Sequence, residues 1–466
     1  MPDLHVVVLA AGKGTRMKSA RPKVLHHIAG RPMIEHVLAA ASTLSPRSTA
    51  IVIGHEAEAV RLAIGSRAGM SLVVQEPQLG TAHALLTAEP VLRGATGTLL
   101  LLYGDVPLLS AATLGQLRER HESSRSAATV ITAHVDNPFG YGRIIRTNGQ
   151  IVRSVEEKDA TPAERAIREI NSGIYAFALD GLFDAIRGIA AQNAQGEYYL
   201  PDLIEIFRTR GLGVETLVLS NPDEIRGINS RRELAEVSQI VRQQKNAELM
   251  DAGVTIEDPA TAYIDRDVVI GADTVIHPGV SIEGRTTIGR GCEIHSGARI
   301  IDSNLGDRVT IFNHSVITDS RLADDAKAGP FAHLRPGADL RAQARVGNFV
   351  ELKKTVLGPG SKSMHLAYLG DATIGEKVNI GAGTITCNYD GTVKNRTVIG
   401  DGAFIGSDTQ LVAPVTIGPG AYVGSGTTVR EDVPPKALAV SAGKQRNLEG
   451  WVEKKKKERD GATVKR

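Results

Sequence analysis

The string Leu9-Ala10-Ala11-Gly12-Lys13-Gly14-Thr15-Arg16-Met17, followed by Pro22-Lys23, places glycines and fixed positive charge directly after a strand-like run. Small residues and glycines let backbone N–H groups approach a polyphosphate, and Arg16 and Lys23 add cations that neutralise it. It is not a Walker loop, because no Gly-Lys-Ser/Thr follows at the required spacing. A bare Gly-rich turn serves tight-turn chemistry as readily as anion binding; Arg16 and Lys23 favour the anion. Asp105, in Leu102-Tyr103-Gly104-Asp105-Val106-Pro107, ends an apolar run. A carboxylate there can hold Mg2+ against phosphates, or simply cap a turn. Gln75, Gly80, Thr81, Gly142, Arg143, Glu156, Asn171 and Asn229 complete the polar set of the first half.

A second set lies far downstream. Arg335 occurs in His333-Leu334-Arg335-Pro336-Gly337, and Lys353 in Glu351-Leu352-Lys353-Lys354. His365 and Tyr368 occur in Ser363-Met364-His365-Leu366-Ala367-Tyr368, Asn379 in Asn379-Ile380-Gly381-Ala382-Gly383, and Lys394 after Cys387-Asn388-Tyr389-Asp390-Gly391. A histidine in a loop suits a general base near neutral pH. A single histidine is more often a plain surface residue. Arg335, Lys353 and Tyr368 accompany His365 as phosphate and hydroxyl ligands, which favours the base. His277 and His295 are 18 residues apart, one coil of a period-six pattern, and stacked histidines can bind metal. His314 is out of register, so a third histidine is missing and a solvated outer ladder is the better reading.

Two architectures must position these groups. Over residues 1–229, strand-like and helix-like segments alternate: residues 5–10, 50–53, 71–74 and 98–102 as buried strands, and 33–41 with helical spacing. That alternation predicts an α/β domain with a mostly parallel sheet and its ligand at the carboxyl ends of strands. Residues 230–252 read as a connecting α-helix, with Ser230 and Glu233 as a capping box and Leu234, Val237, Val241 and Leu249 on one face. From residue 253, Ile264, Ile270, Ile276, Ile282, Ile288, Ile294 and Ile300 recur every six positions. The register slips and resumes at Leu305, at Leu334 and at Ile399. Period six is the hexapeptide signature of a parallel β-helix, here of roughly ten coils over residues 253–450. The pattern breaks over 356–369 and 387–397, and loops leaving a rigid scaffold carry function. Residues 451–466, with a basic run from Lys454 to Lys457, read as a disordered tail.

The chain has 466 residues, 54 Lys and Arg against 52 Asp and Glu, and two cysteines. Length predicts more than one domain. Balanced charge argues against nucleic acid or an anionic membrane as the main partner. Two distant cysteines argue for a reducing compartment. With no signal pattern and no apolar run near ~18 residues, a cytoplasmic location is expected.

These motifs together resemble the sugar-nucleotide pyrophosphorylases. The likeness is to the bacterial bifunctional N-acetylglucosamine-1-phosphate uridyltransferase / glucosamine-1-phosphate acetyltransferase family, over residues 1–451. The resemblance implies an α/β Rossmann-like nucleotidyltransferase domain, a connecting α-helix, and a left-handed parallel β-helix. It implies UTP and N-acetylglucosamine-1-phosphate as front substrates. Leu9, Ala10, Ala11, Gly12, Lys23, Gln75, Gly80 and Thr81 would hold the nucleotide, with Arg16 and Lys23 catalytic. Tyr103, Gly104, Asp105, Gly142, Glu156, Asn171 and Asn229 would line the sugar and metal side, with Asp105 and Asn229 on Mg2+. At the rear, His365 would take the amine proton of glucosamine-1-phosphate as it attacks acetyl-CoA. Arg335, Lys353, Tyr368, Asn379 and Lys394 would hold the sugar phosphate. Ala382, Asn388, Tyr389, Ser407, Ser425 and Ala442 would line the CoA channel. The resemblance also implies a homotrimer. Two positions depart from the family pattern: Ala442 replaces an Arg that grips CoA phosphate, with Lys444 or Arg446 as possible substitutes, and Ser425 replaces a common Ala. The alternative is a single-function pyrophosphorylase whose β-helix is structural or regulatory; a non-enzymatic trimeric scaffold is a further rival.

Overall fold

The computed structural model describes residues 2–191, 193–441, 443 and 447–463. The chain divides into two compact units, residues 1–245 and 246–466. The boundary falls inside the helix Arg231–Asp251. That helix starts as its sequence requires: Ser230 Oγ accepts from the Glu233 N–H, and Glu233 Oε2 accepts from the Ser230 N–H. Of its apolar face, Val237, Val241 and Leu249 are buried. Gly253, with φ +93°, follows the helix end.

In the first unit one sheet runs in the order Val214–Leu219, Ala128–His134, Glu169–Ala178, Thr98–Tyr103, Leu4–Ala10, Ser48–Ile53, Met70–Val74. Leu4–Ala10 lies parallel to both its neighbours, whereas Glu169–Ala178 runs antiparallel to its own. A hairpin, Gly142–Thr147 with Gln150–Val155, attaches to Glu169–Ala178. Leu4–Ala10 is buried at every position because both faces are covered. Val7 and Leu9 feed one core while Val6, Val8 and Ala10 feed the other, as period two dictates. The Leu4–Ala10 and Thr98–Tyr103 strands pair with Leu9 opposite Tyr103, so the Gly-rich turn and Asp105 emerge side by side. The chain leaves Leu4–Ala10 toward one side and returns on the other, which opens a crevice at that edge.

The second unit is a left-handed parallel β-helix. Among the described residues its three sheets hold 11, 10 and 9 strands, which matches the predicted number of coils. Ile264, Ile282, Ile300, Ile317, Leu334, Leu352 and Leu369 stack in one column, and all are buried. The expected break over 356–369 is not one. Val356–Leu357, Lys362–His365 and Tyr368–Gly370 are regular rungs. Ser363 takes the inward place between Val346 and Ile380, so an apolar count skips a position that the coil keeps. The second break is real: the chain leaves the coil after Ile385–Cys387 and rejoins at Thr397–Ile399, with a bridge between Tyr389 and Lys394. The basic run expected to be disordered lies in a helix, Trp451–Thr463, solvated through Arg459. Lys455 and Glu458 pair across one turn at 3.1 Å, and Lys and Glu are good helix formers.

Candidate active sites

A cavity of about 780 Å³ and another of about 980 Å³ open in the first unit. The larger collects ten predicted residues: Leu9, Ala10, Ala11, Gly12, Lys23, Gln75, Gly80, Thr81, Tyr103 and Asp105. Backbone geometry explains the gathering. Gly14 has φ +58°, and a Cβ there would stand 2.7 Å from Lys23 Cβ, so only glycine lets Lys23 fold back over the turn. Gln78 Nε2 donates to Ala11 O at 2.8 Å and ties the turn to the far wall. Gln75 Nε2 donates to Gly80 O at 3.0 Å.

Lys23 Nζ is the centre of charge. It pairs with Asp105 Oδ2 and donates to Asn229 Oδ1 at 3.1 Å. Asn229 is brought there by Ile228 N–H, which donates to Asp105 O at 3.0 Å, and by Glu233 Oε2, which accepts from Asn229 N–H at 2.6 Å. A carboxylate and an amide oxygen thus converge on one cation, and this donor set suits a hard divalent ion.

Other front residues fall into a second group. A Cβ on Gly142 would lie 3.2 Å from Glu156 Oε1 and 3.6 Å from Asn171 Cβ. Asn171 Nδ2 donates to Tyr175 Oη at 2.7 Å and to Ser154 Oγ at 3.1 Å. Burial raises the Glu156 carboxyl above the ordinary range, with Asp159 and Asp202 adding to it. Tyr103 is also raised by burial, then by Glu156 and Asp105, while Thr81 hydrogen-bonds its hydroxyl. A Cβ on Gly104 would press on Val24 at 3.2 Å. Arg16 stands apart: it is exposed and lines the smaller cavity with Tyr141, Arg226, Gly227 and Arg231.

Sequence reasoning did not assign Gly54 or Glu197 to this cavity, yet both line it. A Cβ on Gly54 would meet Gln78 Nε2 at 2.6 Å. Tyr198 N–H donates to Leu79 O at 2.9 Å, and Ala82 N–H to Tyr198 O at 3.0 Å, so residues 197–198 close on Gly80. Nothing local in the sequence signals a contact over that separation.

The second unit gathers its set through the coil. Arg335, Lys353 and Gly370 occupy successive rungs of one ladder, and Glu351 and Tyr368 pair beside them. Arg335 donates to Glu351 Oε1 at 2.7 Å. Lys394, on the outgoing loop, lies against Lys353 and lowers its pKa, with Arg335 adding to the effect. Three cations thus crowd together with Glu351 and Asp371 as counter-charges. A Cβ on Gly370 would stand 2.5 Å from Tyr368 Oη and 2.7 Å from Asn388 Nδ2, so the absence of a side chain lets both fold over the ladder. Asn388 Nδ2 donates to Asp371 Oδ2 at 2.6 Å, which puts Asn388 with this group.

Asn348 and His365 pair in register, and His365 Nδ1 lies 2.8 Å from Asn348 Oδ1. An amide oxygen accepts only if Nδ1 carries the proton, which leaves the Nε2 lone pair free. His365 is exposed. Asn379 pairs with Lys362 on the same ladder. Ala382, Ser407 and Ser425 each follow an inward residue by two places, at Ile380, Ile405 and Val423, and so stack at one corner. Tyr389 is 60% exposed and donates to Gly391 O at 2.6 Å. Ala442, Lys444 and Arg446 lie outside the described residues.

Residues 6–173 match the family model of the MobA-like NTP transferase domain. Residues 267–302 and 396–431 match that of the bacterial transferase hexapeptide (six repeats). Similar curated proteins carry the name Bifunctional protein GlmU. One from Trichlorobacter lovleyi is 51% identical over 451 residues, covering 97% of this chain and 98% of that protein. One from Pelobacter propionicus is 50% identical over 458 residues, 98% and 100%. One from Heliobacterium modesticaldum is 52% identical over 452 residues, 97% and 98%.

Proposed function

The chain belongs to the bifunctional GlmU family, and on that premise we propose how its two units divide the chemistry. It is a two-activity transferase of UDP-N-acetylglucosamine synthesis. One activity acetylates glucosamine-1-phosphate with acetyl-CoA; the other transfers UMP from UTP to N-acetylglucosamine-1-phosphate and releases pyrophosphate. A single-function pyrophosphorylase is set aside, because the relatives named bifunctional match along nearly the whole chain.

In the first unit the turn from Leu9 to Gly14 receives the triphosphate on backbone N–H groups. Gln75, Gly80 and Thr81 hold the nucleotide, and Gly142, Glu156 and Asn171 receive the sugar. A phosphate oxygen of the sugar attacks the α-phosphorus in line, its P–O bond forms, and pyrophosphate leaves with the electrons of the broken one. Lys23 supplies positive charge where the charge develops. Asp105 and Asn229 would hold Mg2+, which neutralises phosphate charge and lowers the barrier to displacement. Their oxygens already share one cation, the Lys23 ammonium, so the two can serve a metal without rearranging the fold. Arg16, on the neighbouring wall, would reach the phosphates from the other side.

In the second unit Arg335, Lys353 and Lys394 receive the sugar phosphate, with Tyr368 and Asn379 on the sugar. His365 Nε2 takes a proton from the amine as nitrogen attacks the thioester carbonyl; the C–N bond forms, the C–S bond breaks, and CoA thiolate leaves. Asn348 holds the imidazole in the tautomer that this requires. Ala382, Ser407, Ser425 and Tyr389 would line the CoA path. His365 and Tyr389 stand on the surface of one chain, and Leu366, next to His365 in the sequence, is 62% exposed. We infer that neighbouring copies in a homotrimer complete this site. The two thiols, Cys292 and Cys387, are free, as a cytoplasmic location allows. No helix of the described residues is long and apolar enough to cross a membrane.

The observation that carries this reading is that each unit holds its own set of phosphate-seeking cations with an acid–base or metal-binding partner. Separate assays test it. Asp105→Ala should abolish uridyl transfer and spare acetyl transfer. His365→Ala should lower acetyl transfer by about 10²–10⁴-fold and spare uridyl transfer. Loss of both activities from either substitution in a folded chain would end the division of labour.

A further inference from the structure

Among the described residues, a cluster of metal-ligating side chains stands apart from the residues assigned to the two sites. His277, Glu293 and His295 offer ligand atoms that all lie within 4.8 Å of one another. The coil places them. Thr255–Ile256, Val275–Ile276 and Glu293–Ile294 pair in parallel register. Glu257, His277 and His295 each follow the inward isoleucine and so share one corner of three successive coils. Rungs ~4.8 Å apart bring the two rings face to face, with centroids 4.6 Å apart and planes within 8°. Glu293 precedes His295 by two residues, and strand periodicity turns both outward while Ile294 is buried.

The polar atoms are loosely spaced for hydrogen bonds and close enough to share a cation. Glu293 Oε1 is 3.4 Å from His277 Nε2 and 3.5 Å from His295 Nε2. Both are long for N–H···O bonds. They match the ~3.4 Å ligand–ligand edge of a tetrahedral ion with bonds of ~2.1 Å. His277 Nδ1 is 2.9 Å from Glu257 Oε2. With that N–H committed to Glu257, His277 Nε2 turns a lone pair toward the Glu293 oxygen. Two lone pairs face each other unless a proton or a metal ion lies between them. A carboxylate on the far nitrogen is also what orients a metal-bound histidine. His295 Nε2 is shielded from solvent and has no hydrogen-bond partner among the described residues.

We propose that His277, Glu293 and His295 form a site for a transition-metal ion such as zinc(II), with Glu257 orienting His277 and water in the remaining position. The ion ties two adjacent coils together near the start of the column and has no part in either transfer. The third ligand lies along the strand, two residues from His295, rather than on the next rung where a histidine is missing.

The test uses the full chain carrying Asp105→Asn, so that the front cation site does not contribute. After chelator treatment it is titrated with zinc(II) and, separately, with cobalt(II). The expected result is one ion per chain. Cobalt should give the visible bands of a four-coordinate ion without the thiolate charge-transfer band that Cys387 would produce. His295→Ala and Glu293→Gln should each weaken binding by about tenfold or more, with acetyl transfer retained as the sign of an intact fold. The proposal is overturned if no ion is retained at micromolar zinc, if a thiolate band is present, or if both variants bind as tightly as the parent.

Discussion

At the scale of single residues, the rear site depends on one tautomer. The Asn348 side-chain oxygen hydrogen-bonds His365 Nδ1 at 2.8 Å, so its expected role is to position the imidazole. Asn348→Ala should lower kcat for acetyl transfer about tenfold and change its pH profile, with uridyl transfer unaffected; an unaltered profile would leave Asn348 a purely structural role. A second residue carries a pH signature. Burial, with Glu205 and Asp159, pushes the Asp202 carboxyl up to about 6. The folded chain then holds that proton more tightly than the unfolded one. The associated stability is complete below the ordinary carboxylate pKa and is lost as pH rises through about 6. Asp202→Asn should therefore stabilise the first unit by roughly 1–2 kcal/mol at about pH 7, and by almost nothing at about pH 3, as urea unfolding would read. What the sequence disclosed at this scale was contiguity. Residues 9–23 and 363–368 are short strings, and their place in the candidate sites was legible. Gly54 and Glu197 were not, because they reach the cavity only through the sheet and a returning segment.

At the scale of elements, the hexapeptide period was read correctly from Ile264 to Ile300 and from Ile399 to Val429, but it was taken to break over 356–369, where Leu357 and Leu369 keep the inward place. It failed at Ser363, which keeps the place with a polar side chain. Ser363 is fully buried, and its hydroxyl has no hydrogen-bond partner among the described residues. Burying an unpaired hydroxyl costs about 1–3 kcal/mol. Ser363→Ala is thus expected to raise the stability of the second unit by about 1 kcal/mol, since a small cavity offsets part of the gain; a loss of stability would mean that the hydroxyl is paired. Glu293 lies two residues from His295 along the same strand, where a period-six pattern gives no signal. Charge runs were a weaker guide: the lysines from 454 to 457 suggested a disordered tail, yet they form a helix.

At the scale of the whole molecule, each unit has its own buried apolar clusters. Ile300 is fully buried in the column. Ile300→Ala should cost the second unit about 2–5 kcal/mol. Acetyl transfer should then be lost at a lower temperature while uridyl transfer decays as in the parent. Parallel loss of both activities would show one cooperative unit instead of two.

The column also sets a rule for how such a chain can change over time. Ile276 to Ile294 spans 18 residues and Ile294 to Ile311 spans 17, yet all three meet in one row. Between Ile380 and Ile405 the count rises to 25, and the row still closes. The thread therefore has a fixed pitch but elastic corners. Insertions can be accommodated where the chain turns, as the longer excursion around Asp390 is, whereas one residue gained inside a strand would turn every following side chain inside out. Novelty in this rod is confined to its edges by its own gauge.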